Sequence, residues 1–286
     1  MKKTVSLFLA MIMALAVPVF AGTSTGSGGA STGSGGANSW SATASVQIPT
    51  IAVTLPSNGT VFVNPFGFTV VTASGVAATD AQMSNDSTTE TSSEKIVSPV
   101  YLIKNESPMV LDVGVIASAT INTGSTMTLN AVPLTEGSTK KEAFIFAQFQ
   151  QFEKDKVDAA TASGATADKK LKVTKGTFAY AHDAIPAVGT QGESGYVAAQ
   201  PAVTDEAAAA ANKAAGIVGI TVKVPKEPTV IGQLAKGSTE NPTYLGYQFF
   251  GDAVTNPKEA WVTSGTGADG LSVSMVFSFN PATSTT

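Results

Sequence analysis

The stretch "IVSPVYLIKNESPMVLDVGVIAS", Ile96–Ser118, decides the fold class. Val100 and Leu102 on one side, and Val110, Leu111, Val113 and Val115 on the other, flank a "KNESP" corner rich in Asn, Glu, Ser and Pro. Side chains branched at Cβ suit a pleated surface, and the corner residues are turn formers. The spacing predicts two antiparallel strands about a turn, and nothing in it is equipped for ordinary catalysis.

The same alternation extends in both directions. Downstream, "TMTLNAVPL" continues it through Met127, Leu129 and Ala131, and "KKEAFIFAQFQQFEKD" crowds Phe144, Phe146, Phe149 and Phe152 into what reads as a core strand. Four further strands follow in the last third: "GIVGITVKV", "TVIGQLA", "TYLGYQFFGDAV" and "GLSVSMVFSFNP". In the last of them Leu271, Val273, Met275, Phe277 and Phe279 alternate with Ser272, Ser274, Val276 and Ser278, giving a dry face and a wet one. Upstream, Val46 and Ile48 precede Pro49, and Ile51, Val53 and Leu55 follow it, before a "PSNG" turn and the short run Val61–Val63. About ten strands with almost no helix predict an all-β fold over residues 39–286, a two-sheet antiparallel β-sandwich of jelly-roll or immunoglobulin-like kind.

Residues 153–216 break the pattern, being rich in Ala, Lys, Asp and Gly, and read as an insertion. The insertion holds one strand candidate, "KLKVTKGTFAYA", and one short Ala-rich helix, "TDEAAAAANKAAG". Thr204 or Asp205 caps that helix, Gly216 stops it, and its shallow Ala face suits an edge or end of the sheet.

The N-terminus carries Lys2 and Lys3, then an apolar run from Val5 to Val17 and a small-residue end at Ala21, as in a secretory signal peptide over residues 1–21. The run is short of the ~20 residues that cross a bilayer, so no membrane span is expected after cleavage. Residues 22–38 repeat "STGSGGA" and read as a flexible tether. Within it "GTSTG" matches a nucleophile elbow only by composition, since neither strand nor helix can flank it.

Without Lys2 and Lys3 the chain has 15 basic and 21 acidic residues, a net charge of −6. Every basic residue is Lys, so the planar guanidinium fork that reads bases and clamps phosphate is missing, which argues against a nucleic-acid partner. There is no Cys, hence no disulfide and no lipid on a Cys, and a hydrophobic core must hold the fold.

Catalytic signals are sparse. His182, the one His, reads as a loop residue, because adjacency to Asp183 is not triad geometry. A zinc site on one imidazole would be poor, so no cofactor and no metal are expected. Asp80, Asp86, Glu90 and Glu94 lack the fixed spacing of a calcium loop and read as a solvated acidic stretch. Tyr244, Tyr247 and Trp261 form a candidate platform for stacking a sugar ring. Lys104 beside Glu106 reads as a solvated turn lysine rather than a side-chain cross-link.

The layout of signal peptide, Cys-free β-rich domain, "PVYLIKNESPMVLDVGV" and terminal "VSMVFSFNP" is similar to exported surface proteins of Gram-positive bacteria, and most resembles the TasA/camelysin group of fibre-forming matrix proteins. The resemblance covers the strand pattern of about 200 residues through generic motifs, and it implies a jelly-roll-like sandwich whose N-terminal strand completes a neighbour's sheet. In this chain the candidate donor residues are Val46, Ile48, Ile51, Val53 and Leu55. The expected function is a non-enzymatic, secreted structural or adhesive protein of the cell surface or extracellular matrix, associating with itself or with surface partners. Two alternatives are a glycan- or host-binding adhesin and, third, a secreted hydrolase.

Overall fold

A computed structural model describes residues 50–56, 61–66, 94–162, 171–194, 196–262 and 267–282. The signal peptide, the Gly/Ser tether, Val46 and Ile48, and Asp80, Asp86 and Glu90 lie outside the described residues.

The protein is mostly β-sheet, with two helices among the described residues. A six-stranded sheet runs in the order β1 (Val53–Thr54), β4 (Tyr101–Asn105), β10 (Thr243–Ala253), β7 (Glu142–Phe152) and β6 (Thr128–Asn130). Its sixth strand, β8 (Ile217–Ile220), also pairs with β7. All of its pairings are antiparallel except β6 with β7. A three-stranded antiparallel sheet has β5 (Leu111–Ile121) between β11 (Leu271–Pro281) and β9 (Thr229–Leu234). β2 (Phe62–Val63) and β3 (Ile96–Val97) form a two-stranded ribbon.

The two strands predicted about the corner are present, but they do not pair with each other: β4 belongs to the six-stranded sheet and β5 to the three-stranded one. The corner is an arch between sheets instead of a hairpin, and buried Asn105 builds it. Its Oδ1 accepts the Ser107 N–H at 2.8 Å, and its Nδ2 donates to Ala235 O at 2.7 Å, tying the corner to the segment after β9. Ser107 Oγ accepts the Ala52 N–H at 2.7 Å, which brings β1 alongside.

Side chains from both sheets meet in one buried cluster, with Ile103 from β4, Val113 from β5, Ile145 from β7, Leu234 from β9 and Leu245 from β10. The opposite face of the six-stranded sheet has a second cluster built on Val100, Leu102, Phe144, Phe146 and Phe250. β7 thus buries Ala143, Ile145, Ala147 and Phe149 on one side and its other Phe rings on the reverse.

The region read as an insertion covers that second face. α1 (Lys154–Thr161) contributes Val157, and the chain after it contributes Leu171 and Val173. "KLKVTKGTFAYA" was expected to be a strand, yet its described part, from Leu171, has no strand pairing. It crosses over the sheet rather than along an edge, so glutamine side chains replace a neighbouring backbone. Val173 N–H donates to Gln248 Oε1 at 3.3 Å, Thr174 N–H to Gln150 Oε1 at 2.8 Å and Gly176 N–H to Gln148 Oε1 at 3.2 Å. Alternating apolar residues gave an extended chain here, but pairing needs an exposed strand edge, which a sheet face does not offer.

α2 (Asp205–Ala215) begins where the cap residues placed it, with Thr204 Oγ1 accepting the Ala207 N–H at 3.2 Å. It ends at Gly216, whose φ of 66° is left-handed and whose missing Cβ leaves room for Phe149 O. The helix packs against β8 and β9. "GIVGITVKV" forms a strand only over Ile217–Ile220, because Thr221 leaves the six-stranded sheet and accepts the Ala119 N–H of β5 at 2.8 Å. One flank between the two sheets is closed by this crossing.

Candidate functional site

No such crossing is present among the described residues beside β11. β11 pairs with β5 along its whole length, from Leu271 opposite Ile121 to Pro281 opposite Leu111. Two bonds just beyond its ends, Asn122 N–H to Gly270 O and Ala282 N–H to Val110 O, both 2.9 Å, fix the phase of the ladder. Bonds in an antiparallel pair alternate, so the even-numbered residues of β11 face β5. The N–H and C=O groups of Leu271, Val273, Met275, Phe277 and Phe279 point to the other edge, which has no strand partner among the described residues.

Those same residues turn their side chains toward the first cluster and pack against it while only partly buried. Phe277 sits 5.7 Å from the Tyr247 ring and 6.3 Å from Phe149, so the inner face of the strand is fixed by aromatic contacts. β11 carries no charged side chain. The result is a long, uncharged strand edge on a firm backing, a template to which another strand can add through backbone hydrogen bonds.

The candidate donor residues divide. Val53 is in β1 and packs against the first cluster, paired opposite Asn105, whereas Ile51 and Leu55 are 40% and 41% exposed. β1 is held by only two register pairs.

The three rings read as a sugar platform do not share a surface. Tyr244 and Tyr247 are three residues apart on one strand and so lie on opposite faces of the sheet. Tyr247 is buried between Tyr101, Phe149 and Phe277, and burial pushes its phenol up from its ordinary pKa. Tyr244 packs on the second cluster, and Trp261 packs at the margin of the first, its Nε1 donating to Val254 O at 2.9 Å.

His182 bridges to Val203 across a ribbon, with Nδ1 2.7 Å from Asp183 O and its ring 5.5 Å from Tyr180. Asp183 therefore offers the imidazole a backbone oxygen, not a carboxylate. Lys104 and Glu106 form an ion pair of 2.9 Å at the corner, and Glu94 meets Lys175 at 3.1 Å. Among the described residues no group of three His, Asp or Glu could hold a metal ion, and no helix is long and apolar enough to cross a membrane.

One cluster escaped the sequence reading. Lys141 Nζ lies 3.0 Å from Asp269 Oδ2, with side chains only 5% and 3% exposed. Ser125 Oγ donates to Asp269 Oδ1 at 2.8 Å, and the Val262 N–H donates to Oδ2 at 2.8 Å. Burial acts to raise the Asp269 carboxyl, but the Val262, Ser125 and Lys141 hydrogen bonds and the Lys141 charge outweigh it and hold the pKa below the usual carboxylate value. No local signal could have paired residues 128 positions apart. Compared with protein-family models, with curated proteins and with solved structures, the chain finds no match.

Proposed function

We propose that this is a non-enzymatic, secreted structural or adhesive protein of the bacterial cell surface or matrix, folded as a jelly-roll-like two-sheet sandwich. Its copies join by strand exchange, the N-terminal segment of one adding to the edge of β11 that has no strand partner among the described residues of the next. The observation that supports this reading is the uncharged edge of β11. Strands left at the border of a sheet are commonly guarded by Lys, Pro or a bulge, and this one has no guard before Pro281. The donor section is the stretch ahead of β1, with Val46 and Ile48 on one side of an alternating pattern, which leaves β1 itself in place on β4.

The phase of the ladder provides a clean test. Proline has no N–H, and the Val273 N–H points away from β5, so Val273→Pro removes a donor from that edge while keeping the β5–β11 bonds. Light scattering on the mature chain should show multimers that fall to monomers in Val273→Pro and in a chain lacking Gly22–Pro49, which keeps β1, with circular dichroism unchanged. Multimers that persist in both variants, or a wild-type chain that stays monomeric at every concentration, would rule the reading out.

A further inference from the structure

The Lys141–Asp269 pair is unusual for where it sits as much as for its burial. Lys141 immediately precedes β7 in the six-stranded sheet, and Asp269 lies two residues before β11 in the three-stranded sheet. The pair joins the two sheets in a chain with no cysteine to do so. Two opposite charges have been taken out of water to make it, at a desolvation cost to each ion.

The geometry points to a covalent end state: the Lys141 amine and the Asp269 carboxyl condense into an intramolecular amide. The ammonium proton passes along the 3.0 Å contact from Nζ to Oδ2, leaving a neutral amine beside a neutral acid. The Nζ lone pair then attacks Cγ. Charge develops on Oδ1, where the Ser125 hydroxyl already donates at 2.8 Å, so the tetrahedral species has a hydrogen-bond donor in place before it forms. A second proton moves from nitrogen to Oδ2, the Cγ–Oδ2 bond breaks, and one water leaves. Ammonium plus carboxylate becomes amide plus water, with no oxidant, activating group or second protein.

Two features of the site favour this direction. Condensation abolishes both buried charges and leaves a neutral amide, which is far cheaper to keep in a dry interior. The reacting atoms are held in contact by the fold, which turns an encounter between two groups into a step within one molecule. The finished bond closes a covalent ring across 128 positions of sequence, and such a ring stays closed when the protein unfolds.

The mass of the intact secreted protein tests this directly. With its N-terminus established by sequencing, the wild-type chain should weigh one water less than its sequence, and digestion with a lysine-specific protease should spare Lys141 and yield a branched peptide joining it to Asp269. Lys141→Arg keeps the positive charge but lacks an amine that can attack, and should have its full sequence mass. Asp269→Asn should form the same amide by losing ammonia. A wild-type protein of full sequence mass, cleaved normally after Lys141, overturns the inference whether or not any variant folds.

Discussion

Truncating Ile145 to alanine is expected to remove about 2–5 kcal/mol of folding stability, the range for deleting a large aliphatic side chain from a packed interior. Ile145 is 0% exposed and sits on β7 opposite Gly251 on one neighbour and Ile220 on the other. β7 is the strand least able to adjust, because β10 and β8 flank it and both of its faces are covered. Shifting its backbone to fill a void would disturb the Phe rings on the reverse face, so the cavity should persist and the effect fall in the upper part of the range. Urea unfolding should show a lower midpoint with an unchanged slope. Val276→Ala, at a site 57% exposed on β11, serves as the control and should move stability by no more than about 0.5 kcal/mol. Equal losses in the two variants would mean that the first cluster is not the core.

Asn105→Ala should be nearly as damaging although it removes no hydrophobic surface. Without the amide, the Ser107 N–H loses its acceptor in a site where Asn105 and Ser107 are both 0% exposed, while the Ala235 carbonyl keeps the Thr243 hydroxyl as a donor. Each buried group left unsatisfied costs about 1–3 kcal/mol. Replacement by Asp offers a finer probe, since it keeps the acceptor for Ser107 but sets a carboxylate oxygen against the Ala235 carbonyl in a fully buried site. Burying that charge is costly, so its loss at neutral pH should exceed that of Asn105→Ala when measured by the same unfolding curves. An alanine variant as stable as wild type would show that the arch does not depend on this side chain.

How far the sequence carried the fold is clearest at this arch. The alternation of β5 and β11 was plain because each shows one face to water, and period two reports that condition. Pairing is a different matter, since the same pattern serves any neighbour in register. A clue was nonetheless present. Val100, Tyr101, Leu102 and Ile103 are apolar without interruption, as befits a strand covered on both faces, while β5 intersperses Asp112, Gly114, Ser118 and Thr120. Hairpin partners share their two faces, so strands so unlike in pattern belong to different sheets.

The candidate site was less accessible. The hydrophobicity of β11 could be read, but its position at a border could not, because that depends on which strands arrive beside it. Tyr244 and Tyr247 failed as a platform for a reason that strand geometry supplies: an odd spacing places two side chains on opposite faces. Lys141 and Asp269 stand in stretches with no pattern of their own, and only the folded chain brings them together.

β1 and β11 are the first and last strands of the described chain, and they differ greatly in how they are held. Two register pairs fasten β1, whereas β11 lies along β5 for its full length. If subunits are linked through their ends, a tensile load reaches both strands, and β1 should detach first. Each subunit would then lengthen by paying out its N-terminal lead while its core stayed intact, making the junction between neighbours extensible and the body behind it stiff.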